Sequence, residues 1–354
     1  VITWLNRILF LKLLEGQLIS YHNGYISYKF LTSDFIKDYD ELNELFFDVL
    51  AIPIVERDDI QSKFANIPYL NSSLFEKTEF EANILLINQL KDRYKIPIYS
   101  NTVLKNEFGK NIAGEKNTLA YLLEFLDAYD FSNVSKEKIQ EKNKTLINAS
   151  VLGLIFEKIN GYNDGSYFTP GFISMYIARE TIRRIVLQKF NEKYNWNCYD
   201  FDDISNFIIS NKNKEKIKEY NSLINSITIC DPAVGSGHFL VSCLNELIAC
   251  KSDLGILADE TGKILPIKVH IENDELIFTD SEGNLFEYNP KNLDSTHIQK
   301  SIFFEKENLI ENCIFGVDIN SKSTQITRLR LWIELLKNAF YKENNELETL
   351  PNID

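Results

Sequence analysis

The stretch Asp231-Pro-Ala-Val-Gly-Ser-Gly-His-Phe-Leu240 constrains the fold more than any other. It follows a short β-branched run, Ile227-Thr-Ile-Cys230, and leads into apolar residues at helical spacing from Phe239 to Cys250. β-branched side chains favour extended backbone, and the 3.6-residue period marks a helix. A strand, an acidic residue, a glycine-rich turn and a helix make the first βα unit of a doubly wound sheet. Such sheets bind ligands at the carboxyl ends of their strands. Gly235 and Gly237 let the backbone approach a ligand with no Cβ in the way. Asp231 puts a carboxylate where a cationic or hydroxyl-bearing ligand would rest. Two commoner patterns are absent. A dinucleotide fingerprint needs a third glycine where Leu240 stands, and no G-x-x-x-x-G-K-[ST] string occurs.

The string D-P-A-V-G-S-G-H-F-L resembles motif I of the amino-group DNA methyltransferases, with the family's Pro and Phe at Pro232 and Phe239. That resemblance implies S-adenosylmethionine as cofactor, held by Asp231, Pro232, Ala233, Gly235, Ser236, Gly237 and Phe239. It also implies an acidic residue ending the second strand that hydrogen-bonds the ribose hydroxyls. Asp318, followed by Ile319, fits: the apolar run Cys313-Ile-Phe-Gly-Val ends in this acid, and a helical pattern follows from Ser323 to about Tyr341. Asp318 lies much farther along than the roughly 20 residues of a compact βαβ unit. Strand runs and turns over 261–290, read as a small antiparallel hairpin insert, account for the excess. The hairpin itself reads as decoration without chemistry, and Arg328 and Arg330 read as solvated.

A third string, Gly165-Ser-Tyr-Phe-Thr-Pro170, resembles motif X of the same enzymes. The resemblance places Tyr167, Phe168, Thr169 and Pro170 against the methionine carboxylate. Backbone amides and a threonine hydroxyl ahead of a helix N-terminus suit an anion. This loop precedes the glycine turn, which is the γ-type motif order. Val151-Leu-Gly-Leu-Ile-Phe-Glu157 and Arg328-Leu-Arg-Leu-Trp332 are also similar to that family. With Ile67-Pro-Tyr-Leu-Asn71 and the region ahead of motif X, most of the chain resembles the Eco57I-like type II restriction–modification enzymes. Those join an endonuclease, a helical connector, an N6-adenine methyltransferase and a DNA-recognition region in one chain. The fold class implied is α/β: a Rossmann-like methyltransferase half-sheet over 151–354, preceded by an all-helical connector domain over 1–150.

Helical spacing in Trp4–Ser20, Leu42–Leu50, Phe80–Tyr94 and Leu119–Tyr129 supports the connector. Further helices are expected over Asn148–Asn160 and from Phe172 to about Phe190. The polar, lysine-rich stretch Ser205–Ser222 reads as a solvated helix and linker. No apolar run approaches the roughly 20 residues of a membrane span, so no membrane partner is expected. Five cysteines without a C-x-x-C pair suggest reduced thiols in a bacterial cytoplasm, and no zinc site.

Acids outnumber bases, 51 to 38, for a net charge of −13. Double-stranded DNA is the expected partner of a full-length parent, while this chain alone should bind DNA weakly or not at all. It begins at Val1 inside an amphipathic pattern and ends at Asp354 as a new segment starts, so it reads as a piece of a longer protein. The Asn-Pro-Pro-Tyr/Phe motif of these methyltransferases is missing, Asn289-Pro290 being followed by Lys291. No lysine has Asp or Glu two residues before it, as a [DE]-x-K nuclease motif requires. No catalytic residue is therefore assigned, and the Mg2+ of a nuclease is expected outside this chain. None of the five cysteines follows a proline, which argues against cytosine C5 chemistry. Motif order and wording favour adenine N6 over cytosine N4. A stand-alone phage-defence adenine methyltransferase and a non-catalytic methyltransferase-like scaffold remain alternatives, with a nicotinamide dehydrogenase far behind.

Overall fold

The computed structural model describes residues 2–57, 62–65, 67–70, 75–77, 79–84, 86–131, 145–147, 149–161 and 169–353. The chain divides into two compact units, Val1–Leu152 with Tyr341–Asn352, and Gly153–Phe340 with Ile353–Asp354. Residues 341–352, assigned from sequence to the second region, thus fold with the first. There the Leu350 N–H donates to the Leu70 carbonyl (3.3 Å).

The first unit is built around α1 (Ile2–Tyr21), which buries Ile8, Phe10, Leu11, Leu14 and Leu18. It also buries Arg7, Lys12 and Glu15, which is tolerable because each is paired. Arg7 donates to Glu81, and Lys12 to Glu15 at 2.7 Å. Glu15 Oε2 accepts the Phe30 and Leu31 N–H groups at 2.7 and 2.6 Å. Asp38 caps α2 (Tyr39–Glu44) by accepting from the Glu41 N–H, and the chain continues into a π turn, Leu45–Val49. The stripe Phe80–Tyr94, expected as one helix, is instead α3 (Glu79–Asn83), a 3-10 turn (Ile87–Gln89) and the approach to β1. Ile84 and Tyr94 stay exposed and Ile87 is buried, so the stripe lacks the packed face that holds a helix in water. Strand β1 (Lys95–Pro97) pairs antiparallel with β2 (Glu115–Asn117). Asn117 caps α4 (Thr118–Asp127), whose Leu119, Leu123 and Leu126 are buried. Tyr129–Asp130 (β3) pairs parallel with Thr145–Leu146 (β4). The all-helical expectation for this region is therefore corrected: short strand pairs separate its helices.

The second unit begins within α5 (Ala149–Gly161), at Gly153, and carries α6 (Gly171–Tyr194), α7 (Phe201–Ser210) and α8 (Lys214–Ile224). The lysine-rich stretch is thus two capped helices rather than helix and linker. Asp200 and Asn213 accept N–H bonds at their starts, and Ile204, Ile208, Ile217, Tyr220 and Ile224 are buried. Strand β5 (Ile229–Asp231) leads into α9 (His238–Asp253), in which every residue from Leu240 to Lys251 is buried. A helix buried on all sides lies at the centre of its unit, and its buried Ser242, Asn245, Glu246 and Lys251 are each hydrogen-bonded. The hairpin β6 (Lys268–Glu272) and β7 (Glu275–Thr279) turns at Asn273-Asp274, both at positive φ, as a two-residue primed turn requires. A long helix follows, α10 (Leu293–Cys313), capped by Asn292. It delivers β8 (Ile314–Gly316), which pairs parallel with β5, and α11 (Ser321–Leu336) comes next. No helix among the described residues is long and apolar enough to cross a membrane.

Candidate functional site

The parallel pairing of β5 and β8 brings Asp318 to the glycine turn. Asp231 lies opposite Gly316 in the register. The ladder continues past both strands: the Val317 N–H donates to the Asp231 carbonyl and the Val234 N–H to the Val317 carbonyl, both at 2.9 Å. One step farther, the Gly235 N–H donates to Asp318 Oδ2 at 2.9 Å. Asp318 Oδ1 accepts the Asn320 N–H at 2.8 Å, which ties the carboxylate to the start of α11. Asp231 Oδ1 accepts the Ala233 N–H at 3.0 Å, an aspartate turn closed on its own backbone. A carboxylate has about four lone-pair sites, so each of these acids keeps accepting capacity beyond the bonds described.

The turn itself needs its glycines. Gly235 and Gly237 have φ of +55° and +75°. At Gly237 a Cβ would lie 2.8 Å from Thr327 Cγ2 and 3.1 Å from its Cα, so the missing side chain makes room for α11. Sequence reasoning gives that space to an approaching ligand; the structure fills it with a helix. Thr327 Oγ1 in turn donates to the Gly235 carbonyl at 3.2 Å.

Around this turn the predicted residues differ in access. Pro232, Ala233 and Ile319 are exposed, Asp231, Gly235, Phe239 and Asp318 half-buried, and Ser236 and Gly237 buried. Thr169 and Pro170 are exposed, with Pro170 at the N-cap position of α6. Tyr167 and Phe168 lie outside the described residues. Gly171, directly after Pro170, packs against the ring of His238, directly after Gly237. The first turns of α6 and α9 are joined again where Ser242 Oγ meets Ser174 Oγ at 3.2 Å.

Beneath the turn lies a buried polar network that sequence reasoning missed. Ser236 Oγ donates to Glu157 Oε1 at 2.6 Å. Arg330 Nη1 reaches both Glu157 Oε1 and Ser236 Oγ at 3.3 Å, and Arg330 Nη2 lies 3.0 Å from His238 Nδ1. Across the ring, His238 Nε2 is 3.2 Å from Asp274 Oδ2, a contact of charge range without hydrogen-bond geometry. Asp274 also accepts from Ser242 Oγ at 2.9 Å, and its carbonyl from Asn245 Nδ2 at 2.8 Å. The turn of the hairpin is therefore packed against the start of α9.

Arg330, expected to be solvated, is only 5% exposed. Its place on α11, four residues after Ile326 and three before Ile333, puts it on the buried stripe, while Arg328 is exposed as expected. That spacing was the available signal. Burial lowers the Arg330 pKa, opposed by Glu157 and Asp274. Burial, with the charge of Arg330, pushes His238 down to about 4, so the ring is neutral. Burial pushes Asp274 up to about 7. Among the described residues no cluster of His, Cys, Asp and Glu is arranged to hold a metal ion.

Comparison with known proteins gives three findings. Residues 1–147 match a family described as a domain of unknown function, DUF7814. The chain is 30% identical over 373 aligned residues to a protein of Methanocaldococcus jannaschii named as a putative type II restriction enzyme and methyltransferase. That alignment covers 99% of this chain and 26% of the relative, so the chain spans about a quarter of its length. The solved structure of MmeI, a type IIL restriction-modification enzyme in complex with DNA, is similar with a TM-score of 0.49 and 17% identity. It covers 99% of this chain and 36% of MmeI.

Proposed function

We propose that this chain is the cofactor-binding region of a type II restriction–modification methyltransferase, and that it seats S-adenosylmethionine at the carboxyl ends of β5 and β8. The observation that carries the reading is the meeting of Asp231, Asp318 and the Gly235–Gly237 turn at the ends of two parallel strands. The similarity to the M. jannaschii protein supports it over nearly the whole chain. The donor set fits the ligand: two half-buried carboxylates with spare lone pairs suit ribose hydroxyls and a cationic amino acid end, and the exposed Pro232–Ala233 backbone leaves an approach.

When bound, the cofactor supplies a methyl group activated by its sulfonium. The protein's part is to position it. Asp318 accepts from ribose hydroxyls, Asp231 faces the methionine end, and Thr169 and Pro170 close one side ahead of α6. Holding both partners in line is the larger share of such a transfer. The acceptor proposed is an exocyclic amine in double-stranded DNA, adenine N6, whose attack needs no cysteine nucleophile. Residues that grip the flipped base, and any Mg2+-dependent nuclease centre, are assigned to parts of the parent outside residues 1–354.

Calorimetry tests the cofactor reading. Wild-type chain should bind S-adenosylmethionine, and Asp318→Ala should weaken binding about tenfold or more, the usual loss for a hydrogen bond to a charged group. An affinity unchanged by this substitution in a folded variant, or no uptake by the wild type at millimolar cofactor, would overturn it.

A further inference from the structure

We propose that Arg330 is the positioning residue of the strand-end site: from α11 it grips Glu157 of α5 and His238 of α9 together, and through them holds the glycine turn at Ser236 and the start of α6 at Gly171 in one arrangement. The proposal rests on the cofactor reading above and names the part of the molecule that sets the cradle's shape.

Three features carry it. The first is geometric reach. A guanidinium is a rigid fork of donors, and here one Arg330 nitrogen reaches Glu157 and Ser236 while another faces His238. Its guanidinium lies so close to α5 that a Cβ on Gly153 would stand 2.7 Å from Nη2. The second is the tautomer. Arg330 can only donate, so His238 Nδ1 must accept, and the ring's proton sits on Nε2. That nitrogen lies 3.2 Å from Asp274 Oδ2 without hydrogen-bond geometry, and a Cβ on Gly171 would be 2.7 Å from it. The third is position in the chain. Ser236 and His238 flank Gly237, so Arg330 holds the turn on both sides of its most constrained residue.

Glu157, His238 and Arg330 are not among the residues assigned to the cofactor; Ser236 is, but its side chain is buried on Glu157, so Arg330→Lys is the variant that separates positioning from binding chemistry. Ser236→Ala removes the turn's link but leaves the Glu157–Arg330 pair intact. Arg330→Lys keeps the charge but, as a point donor, serves one partner at a time. Gly171→Ala presses on His238 from the α6 side. Three readouts apply to the full chain: thermal melting, S-adenosylmethionine affinity by calorimetry well below the melt, and amide hydrogen exchange of residues 235–239. Nitrogen NMR of the His238 ring adds a fourth, with Nδ1 unprotonated and Nε2 protonated in the wild type.

We expect Ser236→Ala and Arg330→Lys to melt within a few degrees of the wild type. They should bind the cofactor about tenfold more weakly and exchange faster at 235–239. Arg330→Lys should also mix the His238 tautomers, and Gly171→Ala should raise exchange in the turn across the helix pair. A purely structural role would shift the melt and leave affinity unchanged, which overturns the proposal. Unchanged exchange at 235–239 in both Ser236→Ala and Arg330→Lys overturns it as well. A wild type that binds no S-adenosylmethionine removes the cofactor reading instead; the ring tautomer and the exchange data then still decide whether Arg330 sets the turn.

Discussion

Replacing Gly237 with alanine should destabilise the second unit without touching the ligand-facing side of the turn. Two costs add. At φ +75° an alanine sits in the left-handed region, worth about 1–2 kcal/mol. Its methyl would also stand 2.8 Å from Thr327 Cγ2, 3.0 Å from Oγ1 and 3.1 Å from Cα. The last of these is backbone, which cannot swing aside, so overpacking adds about 1–3 kcal/mol. The total of about 2–5 kcal/mol corresponds to a fall in melting temperature on the order of 10 °C for a domain of this size. Circular dichroism melts of Gly237→Ala, Thr327→Ser and the double variant test it. Thr327→Ser removes the closest of the three atoms, so in the alanine background it should recover part of the loss, where alone it costs about 1 kcal/mol. A Gly237→Ala variant that melts with the wild type, or simple additivity of the two substitutions, would refute this. Within contact distance, independence would mean the methyl never meets Thr327.

Asp274→Asn should show a pH-dependent effect. With Asp274 raised to about 7 by burial, the folded wild type keeps a proton that the unfolded chain has lost, so stability falls as pH rises from about 4 to 7. The depressed His238 works in the opposite direction up to its unfolded value but is common to both proteins. The melting gap between variant and wild type should narrow from pH 5.5 to pH 8.5; a constant or widening gap contradicts this. Glu334→Gln should cost about 3–5 kcal/mol in urea unfolding. Burial alone would raise Glu334, but Lys337 and Lys306 hold it at about 2, and the substitution takes the carboxylate from a buried Lys306, leaving it the Glu334 carbonyl. A loss below 1 kcal/mol would show that Lys306 finds another partner. Finally, this chain alone should neither methylate mixed-sequence DNA nor bind it tightly, given its −13 charge. Methyl transfer from tritiated cofactor above background, or a submicromolar gel shift, would refute that.

The helices with an unbroken apolar stripe were legible in the sequence. Trp4–Ser20 lies within α1, and Asn148–Asn160 matches α5 within a residue. The strand–turn–helix around Asp231 was legible too, because glycine, acid and β-branched run each act locally. Legibility ended where tertiary partners decide. Phe80–Tyr94 has helical spacing, but Ile87 is buried while Ile84 and Tyr94 are exposed, so no single face is covered and the stretch breaks into short pieces. The run before Cys313 gave no sign of α10, whose apolar residues are interleaved with buried Gln299 and Lys306. Glu157, His238, Asp274 and Arg330 come from four separate elements. Each looks like an ordinary polar residue until the fold buries it beside the others. The pairing of Asp318 with the glycine turn was anticipated through a resemblance, while its bond to the Gly235 amide follows from a register that only the folded sheet supplies.

The central claim is that the β5–β8 strand ends seat S-adenosylmethionine. Selective labelling of glycine amides, followed by titration with the cofactor in NMR, tests it most directly. Saturable shifts should concentrate at Gly235 and Gly237 and be lost in Asp318→Ala at the same cofactor concentration. Binding that saturates while both amides stay still, with the largest shifts at other glycines, would contradict it.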